Sequence, residues 1–137
     1  MFYGFDISTV RVGIGVIDVN GVLLHTSDVK LSSTMSLEER AEIVRLAIND
    51  VFAAYTPLHI TIEAPAQMFS KGKTTANTMA KLQRFNGMVS YIIYSLSGME
   101  GELIDARQAR RMAGLKINKV PKGNAGKKML KRQVIDY

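Results

Sequence analysis

The dipeptide Asn20-Gly21 stands between two β-rich runs, residues 11–19 (RVGIGVIDV) and residues 22–30 (VLLHTSDVK). Asn-Gly flanked by such runs is the strongest short-range signal for a β-hairpin, so the second run must return antiparallel to the first. Residues 2–8 (FYGFDIS) precede them across the turn-prone Ser8-Thr9. The chain therefore opens as a three-strand antiparallel meander. Within the second run Val12, Ile14 and Val16 fall on one face. Gly13 and Gly15 fall on the other, where missing side chains allow close approach.

After the meander the period changes. Ser36 with Glu39 forms a capping box, in which the Ser hydroxyl and the Glu carboxylate satisfy backbone amides at a helix start. Apolar residues at 37, 41, 44, 48, 51, 52 and 55 then recur at helical spacing, and Pro57 ends the run. Residues 58–62 (LHITI) read as a buried parallel strand leading into Glu63. Residues 64–73 form a loop, and Thr74 to about Leu96 a long helix with Met79, Leu82, Phe85, Val89, Ile92, Ile93 and Leu96 on its buried side. Residues 101–104 make a fifth strand, and Asp105 caps a short helix that Gly114 closes. A Lys/Gly/Asn/Pro loop covers 115–126, and 127–137 begin another helix. The order βββ-α-β-α-β-α describes an α/β fold. Its five-stranded mixed sheet is antiparallel over the first three strands, parallel afterward, and flanked by helices.

A chain of 137 residues with no internal linker or repeat fits one domain, residues 1–137. There are no cysteines, which excludes disulfides and thiolate metal sites and suits a reducing compartment. The N-terminus lacks the pattern of a signal peptide, and no segment approaches the ~20 apolar residues of a membrane span. A cytoplasmic protein with no membrane partner is expected. The net charge of +6 is uneven. Residues 1–70 hold eight acids and four bases, residues 71–100 one acid and four bases, and residues 101–137 three acids and ten bases. A basic C-terminal third beside an acidic N-terminal half implies a face for a polyanion.

Two acids interrupt apolar strands. Asp6 lies within the first strand, where burial of a carboxylate would need a hydrogen-bond network, a basic partner or a metal. Glu63 ends the fourth. If those strands are neighbours, the carboxylates converge at one sheet edge. Two hard oxygen donors without nearby His or Cys suit Mg²⁺ or Mn²⁺ rather than zinc. His25 and His59 have no ligand partner at metal spacing and read as structural.

The sequence from Phe5-Asp6-Ile7-Ser8 through Gly13-Ile14-Gly15-Val16-Ile17 resembles the opening of RuvC-type Holliday junction resolvases. The resemblance continues in order through Ile62-Glu63, a loop and long helix, Ala106-Arg107-Gln108, Gly114, and Asn124-Ala125-Gly126-Lys127. It implies an RNase H-like fold and a homodimer that nicks four-way DNA junctions symmetrically with Mg²⁺. Asp6 and Glu63 match the first two of the family's four carboxylates. The other two belong to a further helix, past the segment matched by 127–134, so the resemblance leaves the site half assembled and the domain without its C-terminal catalytic helix. Asp136 comes too early to align, and Asp105 is the reserve acid.

The resemblance also assigns DNA contacts. Phe69 matches the aromatic residue that the family inserts into the junction centre, with Lys71 and Lys73 beside it. Arg110 and Lys127 match basic positions near the scissile phosphate, and Arg107 and Arg111 add phosphate contacts. The long helix, apolar on more than one face, either builds a dimer interface or is wholly buried in the monomer. Two other activities fit the pattern: an RNase H-like nuclease acting on RNA, and a module that holds branched DNA without cutting it. A sugar-kinase or actin-type ATPase half opens similarly, but needs two such domains and far more than 137 residues, so length disfavours it.

Overall fold

The computed structural model describes residues 1–65 and 75–112, and the chain divides into two compact units, one from Met1 to Leu103 and one beginning at Ile104. The strands are β1 (Phe2–Ile7), β2 (Arg11–Ile17), β3 (Leu23–Lys30), β4 (His59–Glu63) and β5 (Glu102–Ile104). The helices are α1 (Leu37–Ala54), α2 (Ala76–Ser97) and α3 (Ala106–Met112). The strands form one sheet in the order β3-β2-β1-β4-β5, with β1 central, antiparallel to β2 and parallel to β4. This is the mixed sheet read from the sequence.

The hairpin connecting β2 and β3 forms as the Asn-Gly signal requires, by a longer turn than two residues. Gly21 takes φ 80° while Asn20 keeps a negative φ. Asp18 closes the turn: its Oδ1 accepts from the Asn20 and Val22 amides at 2.8 and 2.9 Å, and its backbone N–H donates to Val22 O at 3.0 Å. The extra turn residues are absorbed by a register shift between Val16 and Ile17.

Alternation fixes which side of the sheet becomes core. Tyr3, Phe5 and Ile7 of β1, Val12, Ile14 and Val16 of β2, and Ile60 and Ile62 of β4 are buried against helical side chains in one cluster. From α1 this cluster receives Leu37, Ala41, Val44, Ile48 and Val51, and from α2 Phe85, Val89, Ile92 and Ile93. These are the stripes that the helical period marks out. Two ends of α1 are set by side-chain chemistry. Ser36 Oγ accepts from the Glu39 amide at 3.1 Å while Glu39 Oε1 accepts from the Ser36 amide at 3.2 Å, so the capping box is complete. At the other end the chain turns extended at Tyr55, ahead of Pro57. α2 starts on Thr75 and ends at Gly98, whose φ of 70° brings its amide to Tyr94 O at 2.7 Å.

Arg40 ties the first turn of the sheet to α1. Its guanidinium donates to Thr9 O at 2.8 Å, Ser33 O at 2.9 Å and Met35 O at 3.0 Å. The β1–β2 turn is thus pinned by a side chain from a helix on the core side. In the second unit, Asp105 Oδ1 accepts from the Gln108 amide at 2.6 Å, which is the capping contact expected of it at the start of α3.

Candidate functional site

The face of the sheet opposite α1 and α2 is where the chemistry-bearing residues lie. Alternation sends Asp6 to this face with Phe2 and Gly4, and Asp6 is exposed. The cost of burial therefore does not apply to Asp6, because it faces away from the apolar residues on either side of it in the strand. What marks the position is its neighbour. The parallel register runs Phe2↔His59, Tyr3↔Ile60, Gly4↔Thr61 and Phe5↔Ile62, and one step further stand Asp6 and Glu63. Neighbouring strands are about 4.8 Å apart. Glu63 is half-buried, on the same face as Thr61 and His59. Like charges placed side by side on a sheet destabilise it by a few tenths of a kcal/mol to about 1 kcal/mol. A divalent cation held by the two carboxylates would reverse the sign.

The open face is organised in rows across the strands. Asp28 of β3, Gly13 of β2, Asp6 of β1 and Glu63 of β4 lie along one row. Thr26, Gly15, Gly4 and Thr61 form the next, and Leu23, Ile17, Phe2 and His59 the third. The glycines sit where the sequence pattern places them. A methyl group at Gly13 would rest 3.7 Å from Asp6 Cβ, so the absent side chain leaves that flank of the carboxylate accessible. Between the small-residue row and the apolar row runs an open groove of about 380 Å³, lined by Phe2, Gly4, Gly15, Ile17, His59 and Thr61.

One supporting residue was not visible in the pattern. Asn86 on α2 is 5% exposed, a polar side chain among Phe85, Val89 and the rest of the core stripe. Its Nδ2 donates to Glu63 O at 3.4 Å, and its Oδ1 accepts from Ser90 Oγ at 3.4 Å. The contact anchors the backbone at the end of β4 to α2. The only signal in the sequence was an Asn at a core-spaced position of an otherwise apolar stripe. Gly101 has a comparable role by absence: a Cβ there would meet Ile62 Cδ1 at 2.4 Å, so the approach to β5 packs directly on the residue before Glu63.

Tyr3, beneath this face, donates from its hydroxyl to Val51 O at 3.0 Å and also lies against Tyr55 O. Burial, reinforced by the nearby Tyr55 phenol, pushes the Tyr3 pKa up to about 12. Neither histidine gathers ligands. His59 pairs with Glu102 at 3.1 Å across β4 and β5, and His25 Nε2 is buried with no hydrogen-bond partner among the described residues. Arg107 and Arg111 are exposed on α3, and Arg110 lies on the same helix. Phe69, Lys71, Lys73, Lys127 and Asp136 lie outside the described residues. Among the described residues no group of three or more His, Cys, Asp or Glu side chains is placed to hold a metal. Nor is any described helix long and apolar enough to cross a membrane.

Comparison with solved structures gives the fold a reference. The chain is similar to Thermus thermophilus RuvC in complex with a Holliday junction substrate, with a TM-score of 0.65 and 20% sequence identity over 94% of this chain and 87% of that one. A second Thermus thermophilus RuvC structure is similar at a TM-score of 0.58 and 20% identity, over 94% and 88%. No protein-family model and no curated protein sequence matches the chain. The chain has the RuvC-type, RNase H-like fold, with its five-stranded mixed sheet and helices.

Proposed function

We propose that this chain is a structure-selective DNA endonuclease that binds four-way junctions and resolves them by symmetric, metal-dependent nicking in the cytoplasm. The observation that carries the reading is the placement of Asp6 and Glu63 abreast on adjacent parallel strands, on the open face of a sheet with this fold. The related fold was captured on a Holliday junction, and the basic C-terminal third of this chain supplies the charge such a substrate needs.

Asp6 and Glu63 fit Mg²⁺ or Mn²⁺ as hard oxygen donors that leave coordination positions for water and a phosphate oxygen. When bound, such an ion supplies Lewis-acid polarisation of the phosphate and a water of lowered pKa. The protein's own contribution is positional. Asp6 stands on the central strand, pinned on both edges by hydrogen-bonded neighbours, and Glu63 is held through its backbone by Asn86. Gly13 keeps the flank of Asp6 open to a phosphodiester. Phe69 stacks on an unpaired base at the junction centre, with Lys71 and Lys73 beside it, while Arg107, Arg110, Arg111 and Lys127 hold phosphates. Asp105 is left to its helix cap and Asp136 is not assigned a role.

The active unit is a homodimer. Tyr91 and Tyr94 on α2 are 69% and 48% exposed, so complete burial of that helix within the monomer does not hold. With Leu103 and Gly101 they border an open groove of about 340 Å³, and an aromatic surface of this kind suits a second copy.

A second reading, a module that holds junctions without cutting them, is favoured by the absence of a third ligating side chain among the described residues. One experiment separates the two: a labelled four-way junction is incubated with the protein in Mg²⁺ and then in EDTA. Paired symmetric nicks that disappear in EDTA, and that Asp6→Asn abolishes while junction binding persists, establish the nuclease. Binding without nicks at any Mg²⁺ or Mn²⁺ concentration establishes the module. Cleavage of an RNA·DNA hybrid in preference to the junction would instead move the activity to RNA.

A further inference from the structure

The row beyond the carboxylates carries the opposite charge. Arg11, first residue of β2, pairs in register with Lys30, last residue of β3. Val12 points into the core, so Arg11 and its partner share the open face with Gly13, Asp6 and Asp28. Arg11 stands two positions along the strand from Gly13, with only Val12 between them, and Gly13 is directly across from Asp6. That puts the cation pair about 7 Å along the sheet from the carboxylate row, close to the separation of successive phosphates along a nucleic-acid strand.

A cation facing a cation across two strands is a poor choice for the sheet alone, because directly opposed like charges destabilise the pairing. Asp28 relieves part of this by ion-pairing with Arg11 at 3.2 Å, with both side chains about half exposed. Lys30 has no ion-pair partner among the described residues. The three side chains leave a net positive corner beside an acidic row.

The backbone under this corner is held at every residue. Ser8 N–H and Ser8 Oγ donate to Arg11 O at 2.9 and 2.8 Å, and the Arg11 amide donates to Ser8 Oγ at 3.1 Å. Arg40 Nη1 binds Thr9 O at 2.8 Å, and the Leu31 amide, next to Lys30, binds Val10 O at 2.9 Å. A turn fixed in this way presents its side chains from a preorganised base, which lowers the ordering cost of binding.

From this juxtaposition we infer that Arg11 and Lys30 form a phosphate-binding subsite, one nucleotide step from Asp6 and Glu63, that grips the backbone of the strand being cut. Asp28 competes with phosphate for Arg11 and so limits its affinity. The inference rests on the nucleic-acid reading proposed above and adds to it a contact that lies on the sheet rather than in the basic C-terminal third.

The test measures anisotropy of a labelled four-way DNA junction over a range of KCl, in Ca²⁺ to suppress cutting, for the wild type, Arg11→Gln/Lys30→Gln and Asp28→Asn. All three are exposed positions, and thermal melting checks that each variant is folded. The double variant should bind roughly tenfold more weakly at 0.1 M salt, with a salt slope smaller by about 2, since each lost phosphate contact removes about 0.9. Asp28→Asn should bind twofold or more tightly. A double variant with the wild-type slope and affinity overturns the subsite and leaves the junction reading standing. So does an Asp28→Asn protein that binds more weakly, as expected if the ion pair only joins β2 to β3. A wild type that binds neither junction nor duplex overturns the nucleic-acid reading itself, and the subsite with it.

Discussion

Burial governs the behaviour of single side chains on the core side of the sheet, and Tyr3 is the clearest case. Its phenol is removed from water, bonded to the last turn of α1, and its pKa is raised to about 12. A tyrosine in the unfolded chain titrates near 10. The unfolded state therefore gives up its proton first as pH rises. The stabilisation is fully present below about pH 10 and is lost progressively toward pH 12. The difference corresponds to roughly 2–3 kcal/mol. Urea unfolding at pH 8 and pH 11 should show this alkaline loss in the wild type and a smaller one in Tyr3→Phe, which has no proton to lose. Equal losses in both proteins would place the effect elsewhere. Asn86 illustrates the same control from the polar side, since a buried amide persists in a core stripe only where its hydrogen bonds are met, here by Glu63 O and Ser90.

Among the elements, α1 has the most completely specified start. Its capping box satisfies two amides reciprocally, and Glu38 and Glu39 lie in the first turn, where negative charge complements the helix dipole. Ser36→Ala removes the side-chain acceptor and should cost about 1 kcal/mol, read as a melting temperature lower by about 3–5 °C. Glu38 also pairs with Arg84 of α2, an exposed contact of small energetic consequence. The β1–β2 turn depends on α1 in a different way, through Thr9 O, which Arg40 gathers together with Ser33 O and Met35 O of the segment before α1. An arginine on the helix and a turn 31 residues earlier form one unit, which sequence spacing does not disclose.

For the whole molecule, assembly is the property on which the proposed symmetric cutting depends. Tyr91 and Tyr94 leave an aromatic strip on α2 that the unit does not cover itself. The substitution pair Tyr91→Glu/Tyr94→Glu should convert a dimer to a monomer in sedimentation velocity, with the melting temperature little changed because both positions are exposed. On junction DNA it should replace paired nicks by single ones. A wild type that sediments as a monomer at all concentrations would refute the dimer.

The sequence by itself determined the element order, the hairpin, the faces of α1 and α2 and the capping box, because each depends on residues within a few positions of one another. It also singled out Asp6 and Glu63 as acids in apolar strands, though by an argument from burial that Asp6 does not satisfy. Only the tertiary structure decided that β1 and β4 are parallel neighbours, and that one step beyond their register places the two carboxylates together. Only it brought Asn86 under Glu63, Arg40 to Thr9, and Arg11 opposite Lys30. Those pairings join residues from 19 to 57 positions apart. Their energies arise from the strand order and from which face each strand buries, and local propensity carries neither.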